Sequence, residues 1–162
     1  MVATPTLARR ESSNADAEEL ISSVHEVIRS VLRRTHPALE AEGISMGQFW
    51  ALHLVSSLRS ASVSTVARHL SVSAPTVCAN VDSLEAAGLV TRHRSERDRR
   101  AVDLILTAKG RKVEARIWSR MGEVMSEATQ ELPTEDLRAA VRVFREVNQR
   151  LESLEATSAE GA

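Results

Sequence analysis

Arg92, Arg94, Arg97, Arg99 and Arg100 place five arginines within nine positions, offset only by Glu96 and Asp98. Guanidinium groups keep their charge at any physiological pH and fork toward phosphate oxygens, so a segment of net +3 suits a nucleic-acid backbone or a narrow groove. Just upstream, Ser73, Thr76 and Asn80 carry groups that can hydrogen-bond base edges or phosphates. Between them, Ala74, Pro75 and Ala79 offer only apolar contact to thymine methyls or sugars. Taken singly, Ser73 is equally well a helix cap, and a run of charges is usually a solvated face. A short polar helix followed by a basic ribbon is nevertheless an arrangement with which small domains grip duplex DNA.

Other chemistries find little support. Cys78 is the only cysteine, so neither an intrachain disulfide nor a thiolate zinc cluster can form. With no second thiol to resolve it, Cys78 reads as a packing or DNA-flanking residue rather than a redox sensor. His25, His36, His53, His69 and His93 are scattered, none three or four residues from another histidine or a cysteine, so no metal site is expected. Glycine-rich phosphate loops and nucleophile elbows are absent, so no catalytic residues, no enzyme activity and no cofactor are expected. Phe49, Trp50, Trp118 and Phe144 are the only aromatics, too few for the stacking platforms that bind single strands. No apolar run approaches the roughly 18 residues of a membrane span, and no signal peptide is evident, which predicts a cytoplasmic protein.

These side chains need elements to hold them. Residues 1–15 read as a flexible tail. A long helix follows, with Ile21, Val24, Ile28 and Val31 at spacings of three and four and Leu20, Val27 and Leu32 widening the stripe. His36-Pro37 is expected to end it. Ser45 and Gln48 form a capping box for a second helix carrying Phe49, Leu52, Leu54 and Val55 inward. Ser62 caps a third helix that stops near Leu70. Ser73 caps a fourth, with Pro75 tolerated in its first turn and Gly88 at its end. On that fourth helix Val77, Val81 and Leu84 share one sector, and Pro75, Thr76, Ala79 and Ser83 point away from it. Val102, Leu104 and Leu106 then alternate as a strand that pairs with Leu89–Arg94 around a Ser95–Arg99 turn. Thr107 caps a fifth helix with Val113, Ile117, Met121 and Val124 inward, and Pro133-Thr134 opens a sixth bearing Leu137, Val141, Phe144, Val147, Leu151 and Leu154. The fold class expected is mostly α with a small β-hairpin.

Three segments in order resemble the MarR family of winged helix-turn-helix regulators. These are Leu84-Glu85 followed by Gly88-Leu89-Val90, the run Asp98–Gly110 (DRRAVDLILTAKG), and Leu132-Pro133-Thr134-Glu135. The resemblance spans residues 16–154. It implies dimerisation helices at 16–44 and 108–154 and a DNA-binding lobe at 45–107. Within that lobe it implies a helix-turn-helix near 62–87 and a wing at 89–106, with a C-terminal tail at 155–162. It further implies a homodimer on a pseudo-palindromic duplex operator, acting as a repressor released by a small aromatic or lipophilic effector held near Trp50, His53 and Trp118. On the wing, Arg100 would enter the minor groove, Asp98 would orient the arginines, and Arg97 and Arg99 would meet phosphates. Ser62 and Arg94 complete the expected DNA contacts. Many relatives carry a basic residue where this chain has Ala79, which shifts weight from base readout toward the wing and DNA shape. The competing reading is an architectural DNA binder or helical adaptor. An architectural binder needs a broad positive surface, and the net charge of −1 argues against one.

Overall fold

The computed structural model describes residues 5–58, 61–94 and 102–160. Among the described residues six helices and one hairpin follow in order: α1 (Pro5–Glu42), α2 (Met46–Ser57), α3 (Val63–Leu70), α4 (Ala74–Ala86), β1 (Val90–Arg94), β2 (Val102–Leu106), α5 (Ala108–Thr129) and α6 (Thr134–Glu160). The chain divides into a unit running to Val124 and a C-terminal unit from Met125.

In the first unit the core is built from the stripes that the sequence marks. Phe49, Leu52 and Val55 of α2, Val66 of α3, Val77, Val81 and Leu84 of α4, and Val113 and Ile117 of α5 are buried together. Strands β1 and β2 pair antiparallel from Val90↔Leu106 to Arg94↔Val102. The amide of Leu104 reaches the carbonyl of Ala61 at 2.7 Å, so the segment before α3 holds the hairpin from its far side. Leu104 and Leu106 are buried, but Val102 is 45% exposed and does not pin the hairpin as its alternation suggested. It lies at the open end of the ladder, beyond the reach of the core. The expected Ser95–Arg99 turn lies outside the described residues.

Three helix boundaries differ from expectation. Helix α1 begins at Pro5, not after residue 15, and runs through Pro37 to Glu42. Pro5 is compatible with a first turn, whose amides need no helical partner, and Leu7, Ala8, Arg9, Arg10 and Glu11 are strong helix formers. Lack of amphipathic period therefore did not mean lack of helix. Interior proline costs a helix about 3 kcal/mol. Here Leu39 and Ile44, both buried beyond it, offset that cost by about 1.5–3 kcal/mol each. Arg116 of α5 also pairs with Glu42 at the end of α1. In the C-terminal unit, α6 extends to Glu160, so 155–160 continue the helix instead of forming a tail. The apolar side chains Val141, Phe144, Val147, Leu151 and Leu154 of α6 are all exposed on this chain.

Three helices end by one device. In α1 the amides of Gly43 and Ile44 return to the carbonyls of Glu40 (3.0 Å) and Leu39 (3.1 Å), with Gly43 at φ +67°. In α4 Gly88 (φ +70°) and Leu89 return to Glu85 (2.9 Å) and Leu84 (2.8 Å). This Schellman pattern puts the turning residue in the left-handed region, where glycine meets no penalty. At the end of α3 the same bonds run from Ser71 to Arg68 (3.2 Å) and from Val72 to Ala67 (3.1 Å), but the turning residue is Ser71, at φ +53°.

Candidate nucleic-acid interface

Helices α3 and α4 are joined by Ser71-Val72-Ser73, each started by a serine. The Ser62 hydroxyl accepts the Thr65 amide (3.1 Å) and the Ser73 hydroxyl that of Thr76 (3.3 Å), satisfying donors that a helix start leaves open. Val77, Val81 and Leu84 turn inward, and Ala74, Pro75, Thr76 and Ala79 fall on exposed surface. Ser73 and Thr76 also share a hydroxyl–hydroxyl bond of 2.7 Å. One proton serves that bond, leaving one hydroxyl donor and spare lone pairs directed at solvent, a small polar unit able to meet a base edge or a phosphate. Ser83 turns its hydroxyl back onto the Ala79 carbonyl (3.1 Å). Asn80 stands apart from this surface: it is half-buried, with its amide nitrogen beside Gly47 of α2. Cys78 is exposed.

On the hairpin, Arg94 is exposed at the end of β1. Arg97, Asp98, Arg99 and Arg100 lie outside the described residues. Arg92, counted among the wing cations in the sequence, is committed elsewhere. Its guanidinium bonds Asp82 of α4 at 2.5 Å and also bonds Glu85, whose second oxygen accepts the Arg92 amide at 3.3 Å. The Asp82 hydrogen bond is the strongest influence on Arg92 and raises its pKa; burial opposes it, and Glu85 adds to the rise. A signal for this was present in the sequence. Asp82 and Glu85, three residues apart on one side of a helix proposed to approach DNA, need a cation to neutralise them.

The far end of α4 is clasped by the start of α5. The Thr107 hydroxyl donates to the Gly88 carbonyl (2.8 Å) and accepts the Gly110 amide (2.9 Å), while the Thr107 amide bonds the Leu89 carbonyl (3.0 Å). Lys109 donates to the Ala87 carbonyl (2.9 Å), placing a cation at the negative end of α4. In the sequence Thr107 reads only as a cap, because nothing in a linear cap motif specifies whose carbonyl the hydroxyl will meet.

The three residues named for an effector do come together. His53 stacks on Trp118 with ring centroids 4.2 Å apart and meets Trp50 edge-on at 6.0 Å. Glu114, which the sequence reading did not single out, accepts or shares a proton with His53 Nδ1 at 2.8 Å. Trp118 is 48% exposed, so the cluster presents an aromatic surface next to a carboxylate. Among the described residues, no group of three His, Cys, Asp or Glu could hold a metal ion, and no helix is long and apolar enough to cross a membrane.

Residues 42–101 match the model of the MarR family. Over 98 residues the chain is 28% identical to the HTH-type transcriptional repressor MdtR of Bacillus subtilis (strain 168). That match covers 58% of this chain and 63% of the repressor, so it spans less than two thirds of that relative's length. In fold the chain is similar to a MarR family protein from Bacillus stearothermophilus, with a TM-score of 0.75 at 20% identity over 86% of this chain and 97% of that one. It is equally similar to Staphylococcus aureus MarR in complex with salicylate and kanamycin, with a TM-score of 0.75 at 19% identity over 88% and 96% of the two chains.

Proposed function

We propose that this chain is a MarR-family winged helix-turn-helix regulator, a homodimeric repressor that binds a pseudo-palindromic DNA operator in the cytoplasm and leaves it when a small effector binds. The observation that carries the DNA half of this reading is the exposed surface Ala74-Pro75-Thr76-Ala79 at the start of α4, with the hairpin tied to the same helix. A helix presented by its N-terminal half beside a basic hairpin fits a major groove and the backbone or minor groove next to it. Ser62, Ser73 and Arg94 are the described polar groups best placed to add backbone contacts, and Arg97, Asp98, Arg99 and Arg100 are further contacts expected from the sequence.

Helices α1, α5 and α6 each supply contacts to the partner subunit in this reading. Support comes from Leu20, Ile21, Val27 and Ile28 on α1 and from the apolar stripe of α6, all exposed on the single chain. Apolar area of that extent is the kind that a partner subunit covers. The effector reading rests on the Trp50–His53–Trp118 cluster with Glu114, where a flat aromatic molecule can stack; the salicylate named with the S. aureus relative is of that class.

The test is selection of duplexes from random DNA by the purified full-length chain, followed by footprinting of the selected sequence. A two-fold protein should protect two half-sites centred about one helical turn apart. Selection of no preferred sequence, with equal affinity for all duplexes, would overturn the repressor reading in favour of a general DNA binder.

A further inference from the structure

We propose that Arg92 is a positioning residue for DNA binding: it fixes the direction of the β1–β2 hairpin against α4 and does not itself contact DNA. The inference rests on the operator-binding reading above. Both the side chain and the main chain of Arg92 are held by α4. Its guanidinium spans Asp82 and Glu85, and its amide is bound by the other oxygen of Glu85. Two carboxylates one helical turn apart, both on a planar guanidinium, define an orientation and not merely a contact. Near the same end, Thr107 and Lys109 bond the carbonyls of Ala87, Gly88 and Leu89. Those bonds fix where the hairpin leaves α4; Arg92, two residues into β1, fixes its angle. Because both charges of the pair Asp82/Glu85 face this cation, they are also prevented from repelling phosphates along the helix.

The alternative roles predict different outcomes. If Arg92 were a phosphate contact, its loss would shallow the salt dependence by about one unit of log slope, and removing Asp82 and Glu85 would free it to bind better. If the carboxylates acted only by their charge, removing them would tighten binding. If Arg92 positions the hairpin, removing the carboxylates weakens binding, although the complex becomes less negative.

The experiment uses the full-length chain and a fluorescein-labelled duplex carrying the sequence that the wild type selects from random DNA. The variants are Arg92→Ala and the double variant Asp82→Ala/Glu85→Ala. Alanine is the strongest helix former, so the double variant keeps α4 even if Arg92→Ala does not fold. The expected result for the double variant is a loss of about tenfold or more in affinity. Its salt slope should be shallower by more than one unit, because several wing contacts depart together, with unchanged helicity and oligomeric state. A purely structural weakening would lower the melting temperature and leave that slope unchanged, which would overturn the proposal. So would wild-type or tighter binding by the double variant. If the wild type itself selects no sequence, the operator reading falls, and the positioning role falls with it.

Discussion

The Cβ that an alanine would add at Gly110 falls 2.0 Å from the carbonyl oxygen of Leu89. Glycine is required here by proximity, not by backbone angle, since Gly110 sits inside the first turn of α5 and packs against the chain leaving α4. Gly110→Ala should therefore lose about 2–3 kcal/mol of stability in urea unfolding, the cost of forcing backbones apart in a packed site. Gly122 is the internal control. Nothing lies within 4 Å of its added Cβ, so Gly122→Ala should raise stability by up to about 1 kcal/mol. Equal effects at the two sites would show that the α4–α5 contact is not tight.

Ser71 occupies the left-handed region without being glycine. That conformation costs an L-residue roughly 1–2 kcal/mol, partly offset for glycine by its larger unfolded-state entropy. Ser71→Gly is expected to be neutral or stabilising by up to about 1 kcal/mol in thermal unfolding, with DNA affinity intact. Ser71→Val should destabilise by more than about 1 kcal/mol, since a branched side chain tolerates this region worst. The reverse order would mean that the serine hydroxyl, not the backbone angle, governs the turn.

Thr76 and Asn80 should separate in binding assays. Thr76 is exposed beside Ser73, so Thr76→Ala should weaken operator binding by about 1–3 kcal/mol and random-DNA binding much less. Asn80 is half-buried beside Gly47, so Asn80→Ala should change the melting temperature more than the ratio of the two affinities. A specific-binding loss at Asn80 equal to that at Thr76 would place the reading surface one flank further round α4.

For the wing, Arg100→Ala is expected to leave folding intact and weaken DNA binding. A lost phosphate contact lowers the salt slope by about one unit, whereas a lost minor-groove contact costs most at narrow, A·T-rich sites. Asp98→Ala should also weaken binding if the carboxylate orients neighbouring guanidiniums, against the sign that simple charge removal predicts. Fluorescence anisotropy of both variants decides this: unchanged binding for Arg100→Ala with tighter binding for Asp98→Ala would falsify the wing mechanism.

Trp50 and Trp118 are the only tryptophans and there is no tyrosine, so the intrinsic fluorescence of the chain reports directly on the cluster around His53. Under the proposed effector reading, a flat aromatic acid added as a probe should quench that emission and release the operator over the same concentration range, and His53→Ala should shift both midpoints upward together. Release without quenching would locate the effector elsewhere.

Much of this is legible in the sequence, and the reasons are local. The capping box at Ser45-Gln48, the Ser62 and Ser73 caps and the inward sector Val77-Val81-Leu84 are set by residues within one or two turns, so spacing alone reveals them. Helix α1 was misread at both ends because its boundaries follow from other terms: intrinsic propensity near Pro5, and burial of Leu39 and Ile44 past Pro37. Arg92 was grouped with the wing cations because its partners lie 7 and 10 residues back, on another element. Glu114 was missed for the same reason, being 61 residues from His53. Asn80 sits at the edge of the core sector, where a few degrees of helix rotation decide between groove and protein.

The clasp at Ala87–Leu89 makes that end of α4 a pivot. Any rocking of α4 must then be taken up at the Ser71–Ser73 end, where the residues proposed to read bases sit. Thirteen helical residues give a lever arm of about 20 Å at about 1.5 Å per residue. A tilt of only about 6° at the pivot thus displaces Ser73 and Thr76 by about 2 Å, most of the length of a hydrogen bond. Recognition by such a helix is lost through angles too small to disturb the core around Val77 and Leu84.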